Sequence, residues 1–94
     1  MTITPASGTY LVWFASSTCN TNNGKYVYMS IWSGGGQVIA SQLQMQTITG
    51  NDEYPFCCVA LVTVNGSQTI EGRWRVNANS ASMYQRTLAI LKIG

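Results

Sequence analysis

The chain has 94 residues, of which 46% are hydrophobic and 9% are charged, and its formal net charge is +2 at pH 7. Because ordinary soluble domains carry roughly 25% charged residues, the surface must consist mostly of uncharged polar and aromatic side chains, which favours contact with other protein. The length predicts one domain over residues 1–94, and the small net charge argues against the strongly basic face that nucleic-acid binding generally needs.

Residue types that perform catalysis are scarce. The chain contains no histidine, which is the commonest general base and metal ligand, and a serine or cysteine nucleophile needs such a base. Two of the three acidic residues, Asp52 and Glu53, are neighbours in a Gly-Asn loop. We expect them to face solvent rather than to form a catalytic pair across a cleft. The sequence therefore predicts a protein that is not an enzyme and that binds no cofactor or metal.

The three cysteines are Cys19, Cys57 and Cys58. Adjacent residues of a strand point to opposite faces, so Cys57 and Cys58 are not expected to pair, whereas a bridge from Cys19 to one of them stays open. Their spacing fits no zinc pattern. We favour burial as small apolar side chains in a reducing cytoplasm, where a chain without an export signal is made. The longest apolar run, Phe56–Val62, is too short to span a membrane.

The first two long runs have the period of two that is typical of β-strands. Thr9–Ala15 is apolar at both sets of alternate positions, so we expect one face in the core and the other against a partner. Lys25–Trp32 has an aliphatic face, predicted to be core, and an aromatic face, predicted to be a contact surface. The aliphatic residues are Val27, Met29 and Ile31, and the large aromatic ones are Tyr26, Tyr28 and Trp32.

Turn signals separate the next segments. Ser33–Gly36 predicts a hairpin turn, and Gln37–Gln46 fits either one bent strand or two short ones. Phe56–Val64 is apolar on both faces and is predicted to be a central strand. Asn65-Gly66 is the clearest two-residue hairpin signal in the chain, so we expect Phe56–Val64 to pair with Thr69–Val76.

The last quarter of the chain, Thr69–Gly94, is predicted to be a hairpin that carries most of the positive charge. Its first strand alternates strictly, with Arg73 and Arg75 on the polar face, and Arg86 lies on the second strand. Two interpretations stay open for Arg73 and Arg75: a solvated strand face, or a bidentate contact with the carboxylates of a neighbouring subunit or with an anionic surface. Arg86 is predicted to contact a neighbouring subunit.

Six to eight short strands, about a dozen residues apart with turns between them, predict an all-β fold without significant helix. Such a pattern is typical of an antiparallel β-sandwich or barrel. Aromatic side chains with polar tips suit both protein interfaces and sugar stacking. The candidate residues for binding a partner or a glycan are Trp13, Tyr26, Tyr28, Trp32, Arg73 and Arg75.

Three segments resemble a known family. Gly8–Phe14 is similar to its opening Gly-x-Tyr strand, Ile70–Arg75 to its penultimate strand, and Ala81–Leu91 to its closing strand with an Arg-x-Leu pattern. The family is that of the compact trimeric jelly-roll heads of bacteriophage virion proteins, which are distantly similar to tumour-necrosis-factor and complement heads. In such heads the first and last strands lie side by side in an inner sheet around a three-fold axis.

The resemblance implies a jelly-roll homotrimer whose intersubunit face is formed by the first and last strands. The residues that it places there are Tyr10, Val12, Tyr84, Leu88 and Ile90. The hypothesis that follows is a non-enzymatic structural protein on the exterior of a phage capsid, a decoration or cement protein that contacts copies of itself and the major capsid protein.

The alternative hypothesis is the receptor- or carbohydrate-binding tip of a tail or head fibre. In that case Trp13 or Trp32 would stack on a host-surface glycan. Both hypotheses place the protein in the virion, and neither involves nucleic acid or insertion into a membrane.

Overall fold

The structure is a computed structural model that describes residues 1–20, 26–46, 54–76 and 82–94. These residues form eight strands and one three-residue 3₁₀ turn, so the predicted all-β class and strand number are confirmed. The strands are Thr2–Ile3 (β1), Gly8–Asn20 (β2), Tyr26–Ser33 (β3), Gly36–Gln37 (β4), Leu43–Gln46 (β5), Tyr54–Val64 (β6), Ile70–Val76 (β7) and Ser82–Lys92 (β8). The 3₁₀ turn is Ile39–Ser41.

The strands form two antiparallel sheets that pack as a sandwich. β6, β2 and β8 make a three-stranded sheet in that order. The five-stranded sheet follows the order β1, β7, β3, β4, and β5 also pairs with β3. β2 and β8 are neighbours from Tyr10 opposite Lys92 to Asn20 opposite Ser82. The first and last long strands therefore lie side by side, as the resemblance implies.

The inward faces of both sheets supply one apolar core. The aliphatic face of β3 belongs to it, which confirms the prediction for Val27, Met29 and Ile31. The largest fully buried side chains are Phe14, Met29, Ile31, Ile70, Val12 and Val27. Burial of a large aliphatic or aromatic side chain contributes roughly 1.5–3 kcal/mol, so these residues supply much of the hydrophobic stabilisation.

The segment after β3 consists of two short strands joined by the 3₁₀ turn, which is one of the two arrangements expected for Gln37–Gln46. The buried Ser41 hydroxyl donates to the Val38 carbonyl at 2.6 Å and accepts a hydrogen bond from the Ile31 amide at 2.9 Å. The predicted hairpin turn between β3 and β4 is also confirmed. Gly34 and Gly35 have φ values of +59° and +83°, the positive values that a tight two-residue hairpin turn requires.

The predicted hairpin at Asn65-Gly66 is wrong. β6 lies in the three-stranded sheet and β7 in the five-stranded sheet, so this link crosses from one sheet to the other. The turn chemistry is present: the Asn65 side-chain oxygen accepts a hydrogen bond from the Ser67 amide at 3.0 Å, and Gly66 has a φ of +98°. A turn signal describes local backbone geometry. The pairing of the flanking strands is decided by which sheet buries their inward faces.

Two further expectations change for the same reason. β6 was predicted to be central, but within the described residues it pairs only with β2 and forms an edge of its sheet. The predicted C-terminal hairpin is also wrong, because β7 and β8 belong to different sheets. Residues 77–81, which connect these two strands, lie outside the described residues. Arg73 and Arg75 therefore lie on one sheet and Arg86 on the other.

Candidate functional site

The outward face of the three-stranded sheet is apolar, and we call it the apolar face. Leu11 lies between Leu61 and Leu91 in the strand register, and Trp13 lies between Val59 and Ala89 in the same way, so rows of apolar side chains cross all three strands. Leu61 is 63% exposed and Leu91 is 54% exposed. The members of the face are Leu11, Trp13, Ala15, Cys57, Val59, Leu61, Ala89, Leu91 and Ile93.

The apolar face carries no charged side chain within the described residues. Arg86 and Lys92, the two basic residues of β8, lie opposite Ser16 and Tyr10, which are buried and belong to the inward face of β2. Contiguous exposed apolar surface of this kind marks contact sites on soluble proteins. The alternation of burial along β2 confirms that one of its faces lies in the core, while contact of the other face with a partner stays a prediction.

The resemblance implied that Tyr10 and Val12 of β2 lie on the surface between subunits, but the structure places them on the inward face of the sheet. Tyr10 is 6% exposed and Val12 is 0% exposed, so both belong to the core of the chain and leave no surface for a neighbour. Leu88 and Ile90 are half-buried and pack against the same core. Tyr84 is 52% exposed and stays available for contact. Period-two alternation does not distinguish the buried face when both faces are apolar.

Arg86 contacts its own chain. Its guanidinium carbon lies 4.8 Å from the centroid of the Trp74 ring, so a side chain of the three-stranded sheet reaches an aromatic residue of the five-stranded sheet. The Trp74 ring centroid in turn lies 6.4 Å from that of Phe14. Through this cation–π contact, Arg86 links the two sheets of its own subunit. Its contact with a neighbouring subunit stays a prediction.

The outward face of the five-stranded sheet carries a second surface, which we call the arginine–aromatic face. It consists of Tyr28, Ser30 and Trp32 of β3, Gln37 of β4, and Arg73 and Arg75 of β7, which line a concavity of about 200 Å³. The Arg75 guanidinium carbon lies 4.0 Å from the Tyr28 ring centroid, and that of Arg73 lies 4.1 Å from the Trp32 ring centroid. In the register of β3 and β7, Tyr28 lies directly opposite Arg75, whereas Arg73 lies opposite Ser30 and reaches Trp32 diagonally.

The two arginines of this face differ in their partners. Arg73 donates from Nε to Glu71 Oε2 at 2.9 Å, and its Nη2 lies 2.9 Å from the same oxygen. The Thr69 hydroxyl donates to the other Glu71 oxygen at 3.2 Å. The salt bridge in the structure involves Arg73, and Arg75 contacts no carboxylate within the described residues. Among the described residues, the positive charge of Arg75 therefore has no carboxylate in contact with it.

The aromatic rings of this face already contact other side chains, and these contacts restrict how a ligand could stack on the rings. The Tyr28 ring stacks on Tyr26 with centroids 6.5 Å apart, while Arg75 contacts its ring as well. Trp32 donates from its indole nitrogen to the Ser30 hydroxyl at 2.9 Å. The aromatic face predicted for β3 thus faces outward, and Arg73 and Arg75 of β7 lie against its rings. The sequence marks the aromatic residues and the two arginines as candidates but does not place them together, because the pairing of β3 with β7 is non-local.

The two described cysteine side chains have different environments. Cys57 is exposed on the apolar face and Cys58 is buried in the core, and both are free thiols. The expectation of opposite faces is confirmed, whereas general burial of the cysteines is wrong for Cys57. The side chain of Cys19 lies outside the described residues. Burial, with a smaller contribution from the neighbouring Cys57, raises the pKa of the Cys58 thiol to about 11.

The raised pKa of Cys58 predicts a loss of stability at high pH. The folded state binds the thiol proton more tightly than the unfolded state, so this stabilisation is complete below pH 9 and is lost as the pH rises towards 11. Between pH 8 and 11 the unfolding free energy of the wild type should fall by roughly 2 kcal/mol relative to Cys58→Val. Urea unfolding at each pH measures this difference. Cys57→Ser is the control that retains most of it, because burial is the larger cause, and parallel pH curves for wild type and Cys58→Val would contradict the prediction.

The described residues include no group of three or more metal-binding side chains, and they include no helix of the length and hydropathy needed to cross a membrane. Asp52 and Glu53 lie outside the described residues. Comparisons of the chain with protein-family models, with curated proteins and with solved structures gave no match. The apolar face and the arginine–aromatic face are therefore the candidate contact surfaces in the described part of the chain.

Proposed function

We propose that the chain is a non-enzymatic structural protein of a bacteriophage virion, which associates with copies of itself and attaches to the capsid exterior as a decoration or cement protein. The observation that carries this proposal is the apolar face. An uncharged, three-stranded apolar surface on a chain with 9% charged residues is suited to permanent contact with protein. The phage context and the capsid attachment rest on the resemblance of the three strand segments.

A stable contact between subunits requires burial of the whole apolar face. Val59, Leu61, Leu91 and Ile93 are 51–63% exposed, and full burial of such a side chain contributes roughly 1.5–3 kcal/mol. Covering the exposed half therefore contributes about 1 kcal/mol per residue. Association costs at least about 4 kcal/mol in translational and rotational freedom. A contact through one or two of these side chains would not persist, and all four together only offset the minimum cost, so a stable contact has to include the rest of the apolar face.

A homotrimer is the assembly that the resemblance favours. In the related heads the sheet that holds the first and last strands faces the three-fold axis, and here that sheet carries the apolar face. Its two outer strands, β6 and β8, each pair on one side only within the described residues. A closed symmetric assembly covers such edges and prevents open-ended association. The exposed Tyr84 of β8 is suited to extend the same interface.

The contacts of the tryptophans favour this role over a fibre tip that stacks on neutral glycans. Trp13 lies within the apolar face between Val59 and Ala89, where a partner subunit would cover it. The Trp32 ring has the Arg73 guanidinium in contact with it. The Trp32 ring is already in contact with a cation, and Trp13 belongs to the surface proposed as the interface, so the assembly role is the better supported of the two.

Size-exclusion chromatography with light scattering tests the assembly. At micromolar concentration we expect one species with three times the 10.2 kDa mass of the chain. Co-sedimentation with phage capsids that lack the protein tests the attachment, and we expect saturable binding. A monodisperse monomer that does not sediment with capsids would overturn the proposal.

A further inference from the structure

We propose that the arginine–aromatic face is a binding site for an acidic saccharide, a sugar ring that bears one carboxylate, with Arg75 as the residue that binds the carboxylate. This site lies on the opposite sheet from the apolar face and does not depend on it. Failure of the site would therefore leave the assembly proposal unaffected.

The charge of the face favours a monoanion. Arg73 and Glu71 form a salt bridge, and Arg75 contributes one further positive charge without a carboxylate partner in the described part of the chain. Arginine binds a carboxylate through two parallel N–H donors, and this geometry is stronger and more selective than a single ionic contact. A ligand with one carboxylate matches one such unpaired arginine, whereas a highly charged polyanion would need a larger basic surface.

The position of Arg75 is prepared before a ligand arrives. Its guanidinium carbon is 4.0 Å from the Tyr28 ring, and Tyr28 itself stacks on Tyr26. A guanidinium held against an aromatic ring loses less conformational entropy when it binds than a freely moving one. Arg73 is held in the same way against Trp32 at 4.1 Å, so an aromatic ring restrains each of the two arginines that line the concavity.

The concavity favours a small hydroxylated ring. Its volume of about 200 Å³ is below the 300–1,000 Å³ typical of sites for drug-sized ligands, so it suits a single sugar residue. Ser30 and Gln37 line it beside the arginines. Because the Trp32 indole donates to the Ser30 oxygen, the Ser30 hydroxyl proton remains available to a ligand. The Gln37 amide nitrogen donates to Gln42 Oε1 at 2.6 Å, which leaves its second N–H and its oxygen for sugar hydroxyl groups.

The carboxylate, and not ring stacking, should determine affinity. Tyr28 is in contact with Tyr26 and with Arg75, and Trp32 is in contact with Arg73. A neutral sugar of the same shape would meet rings that are already in contact with other side chains, and it would have no charge to pair with Arg75. We expect glucuronate to bind with a dissociation constant on the order of 1 mM, as befits a ligand of this size, and glucose to bind at least 10-fold more weakly.

Titration of the ¹⁵N-labelled protein, followed by nuclear magnetic resonance, tests the site with glucuronate, glucose, acetate and a glutamate-rich peptide as probes. With glucuronate we expect saturable shifts of the Trp32 indole N–H signal, while the indole signal of Trp13 on the apolar face stays unchanged. Equal binding of glucose would overturn the role of the carboxylate. Acetate binding as tightly as glucuronate would show a bare anion site, and tighter binding of the peptide would show a protein contact; both would overturn the proposal.

Variants separate a binding role of Arg75 from a structural one. Arg75→Lys keeps the charge but removes the paired donors, and we expect glucuronate to bind about 10-fold more weakly. Arg75→Gln should abolish measurable binding. Lys92→Ala is the matched control, since it removes a positive charge on the other sheet, and it should leave the dissociation constant unchanged. Unchanged indole signals in the ligand-free variants establish that they are folded, and a folded Arg75→Gln protein that binds normally would overturn the proposal.

Discussion

Replacing Gly72 with alanine is expected to lower the free energy of unfolding by about 3 kcal/mol, which is at the upper end of the usual cost of overpacking a core. Gly72 lies on the inward face of β7, and a Cβ atom there would overlap the ring of Phe14. Phe14 is fully buried between the sheets. The ring cannot move away without displacing other core side chains, because protein interiors are close-packed.

Urea unfolding at one fixed protein concentration measures the effect of Gly72→Ala, since association also changes apparent stability. Gly36→Ala is the matched control: its Cβ would come no closer than 3.7 Å to the Ser33 carbonyl oxygen, and the cost should stay within about 0.5 kcal/mol. The double variant Phe14→Leu, Gly72→Ala should be more stable than the sum of its single changes predicts. Simple additivity would contradict the proposed overlap.

Replacing Leu61 with lysine is expected to dissociate the assembly. Leu61 is 63% exposed in the single chain, so the change should alter the stability of the subunit little. In the proposed interface, however, the lysine would bury an unpaired charge at a cost of about 3 kcal/mol or more, which weakens association at least 100-fold. Light scattering should then give the mass of one chain at micromolar concentration, with an unchanged circular dichroism spectrum.

Two further measurements test whether dissociation of the Leu61→Lys variant results from the change at the apolar face rather than from the added charge alone. Gln44→Lys adds the same charge to the exposed surface of β5 on the other sheet and should keep the mass of the assembly. Cys57 lies on the apolar face and is exposed in the single chain, so a thiol reagent should modify it at least 10-fold faster in the dissociated variant. Retention of the full assembly by Leu61→Lys would show that the apolar face is not the interface.

The two surfaces occupy opposite sheets, and this arrangement is compatible with both proposals at once. A trimer formed through the three-stranded sheet would leave the arginine–aromatic face of the five-stranded sheet outward. Three copies of a site with millimolar affinity would then act together on a polymeric ligand, which increases apparent affinity without new contacts. The Leu61→Lys variant should accordingly bind single acidic sugars as well as the wild type does.

The amino-acid sequence by itself determined the properties that depend on neighbouring residues. Alternation along Lys25–Trp32 separated the core face of β3 from its aromatic face, because successive side chains of a strand point in opposite directions. The glycines at Gly34 and Gly35 marked the hairpin turn, since that turn requires positive φ. The same local patterns were enough to predict an all-β chain with six to eight strands.

Only the tertiary structure decided which strands pair and which of two apolar faces is buried. The Asn65-Gly66 signal was correct as a turn and wrong as a hairpin, because β6 and β7 bury their inward faces in different sheets. For β2, alternation placed Val12 and Trp13 on opposite faces but gave both faces an apolar character. Packing against β3 and β7 put Val12 inside and left Trp13 outside, so the candidate interface became visible only when the second sheet was in place.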